Sequence, residues 1–211
     1  ELLITTTSGS DHIDLNAYER AGIKVCRLAG ARRDAVVEST LGMLIWGLRR
    51  TGTQTNWAQN GFWGRKELPA LSPVCLSGAR IGILGLGVIG KKVASVLKVL
   101  GAEIWGCDPR GVPPHVKPAT VGEMVNACDA LTLHCDLNSS TKNIISTSIL
   151  AASRPGIVIV NTARGGLIDY PAAVQAVQGG QLGGLALDVF PVEPFLELTT
   201  VESHPNILFT P

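Results

Sequence analysis

The stretch Arg80-Ile81-Gly82-Ile83-Leu84-Gly85-Leu86-Gly87-Val88-Ile89-Gly90 decides how the chain reads. An apolar run with β-branched residues predicts a buried strand. It breaks into glycines at 85, 87 and 90, the GxGxxG spacing, and a helical pattern follows at once with Val93, Val96, Leu97 and Leu100 on one face. Strand, glycine turn and helix together are the setting in which this motif has meaning. Gly85 permits the tight turn, Gly87 lets the backbone approach a pyrophosphate, and Gly90 lets helix and strand pack closely. The N–H groups that open the helix, from Val88 and Ile89 onward, favour an anion. A second predicted strand, 103–107, leads into Asp108, 18 positions after Gly90. An acidic residue so placed accepts the ribose 2′-hydroxyl of a dinucleotide. The plainer alternative is a glycine-rich β–α turn with an ordinary loop aspartate. A carboxylate at 108 repels a 2′-phosphate and favours NAD over NADP. Arg110, two residues on, is a group that accepts such a phosphate, so the preference is one of degree.

Outward from this centre the pattern repeats. Strands are predicted at 80–84, 103–107, 129–133, 157–160, 184–188 and 206–209, with helices at 88–100, 120–127, 146–152 and 171–178. Gly111 to Pro118 reads as a proline-rich loop. Strands alternating with helices predict an α/β fold with a doubly wound parallel sheet. Upstream, Leu2 to Thr7 and Ile23 to Cys26 read as strands around a short helix, Leu15 to Ala21. Asp34 is expected to cap a long helix reaching about Arg50, on which Val37, Leu41, Leu44, Ile45 and Leu48 keep helical spacing. Residues 51–79 read as irregular; they hold Trp57, Phe62 and Trp63, which either cover the domain or form an interface.

The chain has 211 residues and a formal charge of +1, which suits one large or two small domains. The near-neutral balance argues against nucleic-acid or polybasic membrane partners. No apolar run approaches the roughly 20 residues needed to span a bilayer. The five cysteines are odd in number and form no CxxC pair; several lie in strand-like runs and read as small buried hydrophobes, in a reducing, cytoplasmic compartment, and no metal site is expected. Glu1 leads directly into a strand-like run and the sequence stops just after another, so both ends look cut and a longer polypeptide is expected.

Ligands bind such sheets beyond the carboxyl ends of the strands. His134, Cys135, Asp136, Leu137 and then Thr141 follow the third strand of this series; Asn161-Thr162-Ala163-Arg164-Gly165-Gly166 follows the fourth; Asp188 to Pro194 follows the fifth. Arg164 reads equally as a bidentate carboxylate binder or as a solvated loop arginine. Glu193 sits on a stiff turn between Pro191 and Pro194, and on spacing alone a surface glutamate is the simpler reading. Asp188 reads as a turn acceptor and Asp169, before Tyr170-Pro171, as a helix cap. His12 and His115 read as loop residues and His204 as part of a turn, so no histidine declares itself an acid.

These residues resemble the D-isomer-specific 2-hydroxyacid dehydrogenases over essentially the whole chain. The marks are Ser8-Gly9-Ser10-Asp11-His12-Ile13-Asp14, Val37-Glu38, the glycine motif, Asn161 to Asp169, Ala186 to Phe190 with Glu193-Pro194, and Asn206 to Pro211. The resemblance implies a Rossmann NAD-binding domain, 34–211 with its linking helix, and at 1–33 the remnant of a flavodoxin-like substrate domain. It implies hydride transfer between NAD and C2 of a D-2-hydroxy or 2-oxo acid. Arg164 would bind the substrate carboxylate and carbonyl, with backbone at Ser8 and Gly9 facing that carboxylate. Glu193 would raise the pKa of a histidine acid/base expected after Pro211. Val88, Ile89 and Asp108 would contact the cofactor's phosphates and ribose, and His134, Cys135, Thr141, Thr162, Ala163 and Asp188 its remaining wall. It also implies a homodimer through the nucleotide domains, for which the Trp57–Trp63 segment is the candidate surface. Asp136 stands where many members have proline. Arg33 and Glu193, in place of asparagine and glutamine, disfavour formate as substrate. A dinucleotide-sensing corepressor and a phosphite-oxidising enzyme share the scaffold and are the rival readings.

Overall fold

The structure is a computed structural model, and it describes residues 1–5, 9, 13–28, 30–195 and 204–210. Ser8, Ser10, Asp11 and His12 of the first motif lie outside the described residues, as do Thr6, Thr7 and Pro211. Two parallel strands, β1 (Leu2–Thr5) and β2 (Lys24–Arg27), flank helix α1 (Leu15–Arg20) and form a small sheet of their own. Asp14 caps α1 by accepting from Ala17 N–H at 2.9 Å. Helix α2 (Arg33–Leu48) then leads through α3 (Thr51–Gln59) to the main sheet.

That sheet begins with β3 (Arg80–Leu84), followed by α4 (Val88–Val99), β4 (Glu103–Cys107), β5 (Lys117–Pro118) and α5 (Val121–Ala127). It continues with β6 (Ala130–Leu133), α6 (Thr147–Ala151), β7 (Ile157–Asn161), α7 (Tyr170–Gln178), β8 (Leu182–Leu187) and β9 (Ile207–Phe209). The seven strands are all parallel, in the order β5-β4-β3-β6-β7-β8-β9. Every residue of β6 and β7 is buried, as expected of strands covered on both faces. On one face Val37, Leu44 and Leu48 of α2 join Val93 and Leu97 of α4 over Ile81, Ile83 and Val158. On the other, Met124 of α5, Leu150 of α6 and Ala173 and Val177 of α7 cover Leu131, Ile159 and Leu185. The architecture is the expected doubly wound sheet. Its switch point lies between β3 and β6, so the loops after these two strands open side by side.

Local signals explain most element ends. Thr120 and Glu123 form a capping box at α5, Ser146 accepts from Ile149 N–H at α6, and Asp169 accepts from Ala172 N–H at α7. Three expectations are corrected. Asp34 is not the cap of α2: Arg32 holds that position, and Asp34 pairs with Arg33 at 2.8 Å within the first turn, where its charge still suits the helix dipole. Residues 51–79 are not irregular throughout, for they contain α3 and a 3-10 turn at Leu68–Leu71. Arg50, between α2 and α3, adopts the left-handed region with φ 57°, and its guanidinium donates to Leu71 O at 3.2 Å and Gly156 O at 2.8 Å. Thr53 Oγ1 donates to Asn206 Oδ1 at 2.6 Å, so long-range bonds hold α3 without an apolar stripe of its own. The 111–118 loop ends in the two-residue edge strand β5, paired with Trp105 and Gly106.

Candidate functional site

The glycine turn is the floor of a groove of about 690 Å³ at the carboxyl edge of the sheet. Gly85 has φ +91°, and a Cβ there would stand 2.5 Å from Cys135 N. Only glycine satisfies both the backbone angle and that contact. At Gly90 a Cβ would collide with the carbonyl of Gly85, which is the close packing of α4 on its strand. Gly87 is different: a Cβ there would meet only the Arg110 guanidinium, at 3.6 Å, so its front is open. No side chain caps the start of α4. The opening N–H groups of this 12-residue helix are therefore available to an anion at the groove.

Asp108 stands after β4 with its side chain only 4% exposed. Its Oδ2 accepts from Leu86 N–H at 2.7 Å and its Oδ1 from Arg110 N–H at 2.9 Å. The Arg110 guanidinium adds a fork to the same carboxylate at 3.2 and 3.3 Å. Burial pushes the Asp108 pKa up, but the bonds from Arg110 and Leu86 outweigh it and hold the carboxyl below its ordinary range. On the other side of the glycine turn His134 N–H donates to Leu84 O at 2.7 Å, and its ring Nε2 lies 3.1 Å from Thr132 Oγ1. Burial pushes the His134 pKa down to about 4, so the ring is neutral near pH 7. Burial likewise pushes the Cys135 thiol up to about 11. Val88, Ile89, Cys135 and Thr141 line the groove with these residues. An open glycine, an uncapped helix start and an anchored carboxylate in one groove fit a nicotinamide dinucleotide.

A smaller cavity of about 180 Å³ adjoins the groove, sharing Ile89, His134, Cys135 and Asp136 with it. Gly9, Arg32, Thr162, Ala163 and Arg164 complete its wall. The loop that carries Arg164 is stapled by Asn161 at the buried end of β7. Asn161 Oδ1 accepts from Ala163 N–H at 3.0 Å and its Nδ2 donates to Arg164 O at 2.8 Å. Thr40 Oγ1 donates its one proton to Val36 O at 2.8 Å, so in its 3.1 Å bond with Thr162 Oγ1 it is the acceptor. That buried pair pins α2 to the loop. Neither Asn161 nor Thr40 was singled out from the sequence. Asn161 opens the quoted motif, whereas nothing near Thr40 in sequence marks its partner 122 residues away.

Arg164 also lines a third cavity of about 880 Å³, on whose wall Glu193 lies. A Cβ at Gly165 would strike the backbone of Phe190 and Pro191, so the two loops touch main chain to main chain. Phe190 N–H donates to Glu193 Oε1 at 3.0 Å, and the Phe190 ring stacks on Phe195 with centroids 5.0 Å apart. These contacts set Glu193 on a turn that abuts the Arg164 loop. Two expected residues lie away from the cavities. Gly90 is buried as a packing contact, and Asp188, just beyond β8, accepts from Thr210 Oγ1 at 2.9 Å and so ties the last turn to the sheet. Gly9 reaches the small cavity, while Ser8 lies outside the described residues. No helix among the described residues is long and apolar enough to cross a membrane.

Residues 41–211 match the family model described as D-isomer specific 2-hydroxyacid dehydrogenase, NAD binding domain. A D-3-phosphoglycerate dehydrogenase of Rattus norvegicus is 34% identical over 209 residues, 97% of this chain and 38% of the relative. A hydroxypyruvate reductase of Thermotoga maritima is 33% identical over 209 residues, covering 94% of this chain and 67% of the relative. Among solved structures, a Granulicella formate dehydrogenase superposes with TM-score 0.90 at 28% identity, over 100% of this chain and 58% of that one. The chain thus spans less than half the length of the mammalian relatives it matches.

Proposed function

The chain belongs to the D-isomer-specific 2-hydroxyacid dehydrogenases, and from that membership we propose that it transfers a hydride between NAD and C2 of a small D-2-hydroxy or 2-oxo acid. One observation carries the reading: the groove built around the glycine turn shares a wall, formed by Ile89, His134, Cys135 and Asp136, with a cavity lined by Arg164. Gly87, Val88 and Ile89 would hold the pyrophosphate at the start of α4, and Asp108 the ribose hydroxyl. When bound, the nicotinamide supplies or accepts the hydride. Arg164 anchors the substrate carboxylate and polarises its carbonyl, which stabilises charge as it develops on the oxygen. Glu193, on the turn that abuts the Arg164 loop, would raise the pKa of a histidine acid/base; general acid–base help of that kind is worth about 10²–10⁴-fold. The Asp108–Arg110 fork supports NAD over NADP, because a 2′-phosphate would meet a carboxylate already paired with the nearest cation.

The same reading divides the chain into the end of a substrate domain, 1–33, and a nucleotide domain, 34–211. The separate sheet of β1 and β2 and the start of α2 at Arg33 support that boundary. It also pairs two copies through their nucleotide domains. Trp63 is 82% exposed beside the edge-on pair of Trp57 and Phe62, a surface of the kind a second copy covers. Five free cysteines, among which Cys128 and Cys135 are held as unreactive thiols, suit the cytoplasm. The test is NADH oxidation against a panel of 2-oxo acids, using a polypeptide extended past Pro211. Turnover that collapses in Arg164→Ala supports the dehydrogenase. NADH binding without turnover on any acid would overturn it in favour of a dinucleotide sensor.

A further inference from the structure

The groove beside the glycine turn is lined by two carboxylates. Asp108 alone is enough to accept a ribose 2′-hydroxyl. Yet Asp136 lines the same groove, exposed, from the loop after β6. Because β4 and β6 flank β3 on opposite sides, the two carboxylates stand on either side of the glycine turn. The Asp136 backbone is tied there, since its main-chain carbonyl accepts from Thr141 Oγ1 at 2.7 Å. Arg110 lines the same groove as the two acids. Its guanidinium forks onto Asp108 at 3.2 and 3.3 Å, and the charge of Asp136 acts on it in the same direction, as the smallest of the influences on it. The remaining charged side chain on the groove, Arg27, comes from β2 and already has a partner.

We propose that Asp136 is a specificity-determining residue: with Asp108 it holds Arg110 away from a 2′-phosphate, so the groove selects the dinucleotide that lacks one. This rests on the reading of the groove as a dinucleotide site. A 2′-phosphate needs a cation turned toward it. Turning Arg110 outward breaks its fork with Asp108, draws it from Asp136 and leaves two carboxylates facing a group of nearly two negative charges. A 2′-hydroxyl asks for none of this. Asp136 contributes through charge, so an isosteric neutral side chain removes its effect and a longer acid keeps it.

The experiment titrates the 211-residue chain with NADH and with NADPH, by nicotinamide fluorescence, in wild type, Asp136→Asn and Asp136→Glu. At low ionic strength Asp136→Asn should narrow the ratio of the NADPH to the NADH dissociation constant about fivefold, the scale of one exposed charge interaction. That change should fade in about 0.5 M salt, where exposed charges are screened. Asp136→Glu should keep the wild-type ratio. An unchanged ratio in Asp136→Asn, with wild type binding and discriminating, overturns this proposal alone. So does a Glu variant that shifts the ratio as far as Asn, because shape and not charge would then decide. Failure of wild type to bind either dinucleotide overturns the proposal together with the reading beneath it.

Discussion

The glycine turn and the Arg164 loop line two adjoining cavities and are built on opposite principles. At the glycine turn the chain presents backbone: an open Gly87, an uncapped helix start and N–H groups fixed by the strand and helix they join. At the Arg164 loop it presents a guanidinium, and the loop's shape depends on the side chain of Asn161, the buried Thr40–Thr162 pair and the aromatic packing of Phe190. A site made of backbone is a property of local spacing. A site made of side chains is a property of which distant residues arrive to hold them. The first should therefore fail when geometry is crowded, and the second when a charge or a bond is deleted.

The largest expected effect comes from crowding. Gly90→Ala sets a methyl group against the Gly85 carbonyl, so α4 must leave its strand. A loss of about 3 kcal/mol or more in urea unfolding is expected, the upper range for overpacking against backbone. Deletion at the other end should behave differently. Arg164→Ala, in the extended polypeptide, should lower kcat/KM about 10²–10³-fold while the NADH dissociation constant stays within about threefold, as for loss of one group that stabilises developing charge. If NADH binding fell as far as turnover, the two ends would not be separable.

The glycine end also carries a titration. His134, with a pKa near 4 when folded, is neutral where an unfolded histidine already binds a proton. The unfolded chain thus holds more protons between about pH 4 and 6.5, and stability rises with pH across that window. The contribution is complete above about pH 6.5 and is lost as pH falls toward 4, on the order of 2–3 kcal/mol. His134→Gln should flatten this part of the stability profile relative to wild type in urea unfolding at several pH values. The smallest effect lies far from both ends. Trp63→Ala should weaken pairing of copies, seen as a lower mass by light scattering at micromolar concentration. An unchanged dimer mass would place the interface elsewhere, and a wild type that is already monomeric would remove the pairing itself.

The contrast also explains what the sequence revealed. The parallel strands and the helices between them announced themselves because β-branched runs, glycines and capping residues act within a few positions; Asp169 before Tyr170-Pro171 is one case. The helix at Thr51–Gln59 did not, because Thr-Gly-Thr-Gln-Thr-Asn has no apolar period and its support comes from Arg50, Leu71 and Asn206. Asp34 looked like a cap because it precedes the periodic residues, yet the helix starts one residue earlier and Arg33 takes its carboxylate. At the site, Gly85, Gly87 and Asp108 were legible from spacing. The bond of Asp108 to Leu86 N–H, the staple by Asn161 and the Thr40–Thr162 pair join residues whose proximity only the folded sheet creates.

The most direct test of the backbone-built end is a fluorescence titration of the chain with NADH, comparing wild type with Gly87→Leu. A Cβ at 87 meets nothing nearer than Arg110 at 3.6 Å, so the variant should fold while its side chain fills the space left for a pyrophosphate. Saturable binding to wild type, weakened at least about tenfold in Gly87→Leu, is the predicted result, a difference of about 1.4 kcal/mol. Equal titrations of the two proteins, or no saturable signal from wild type, would contradict the account.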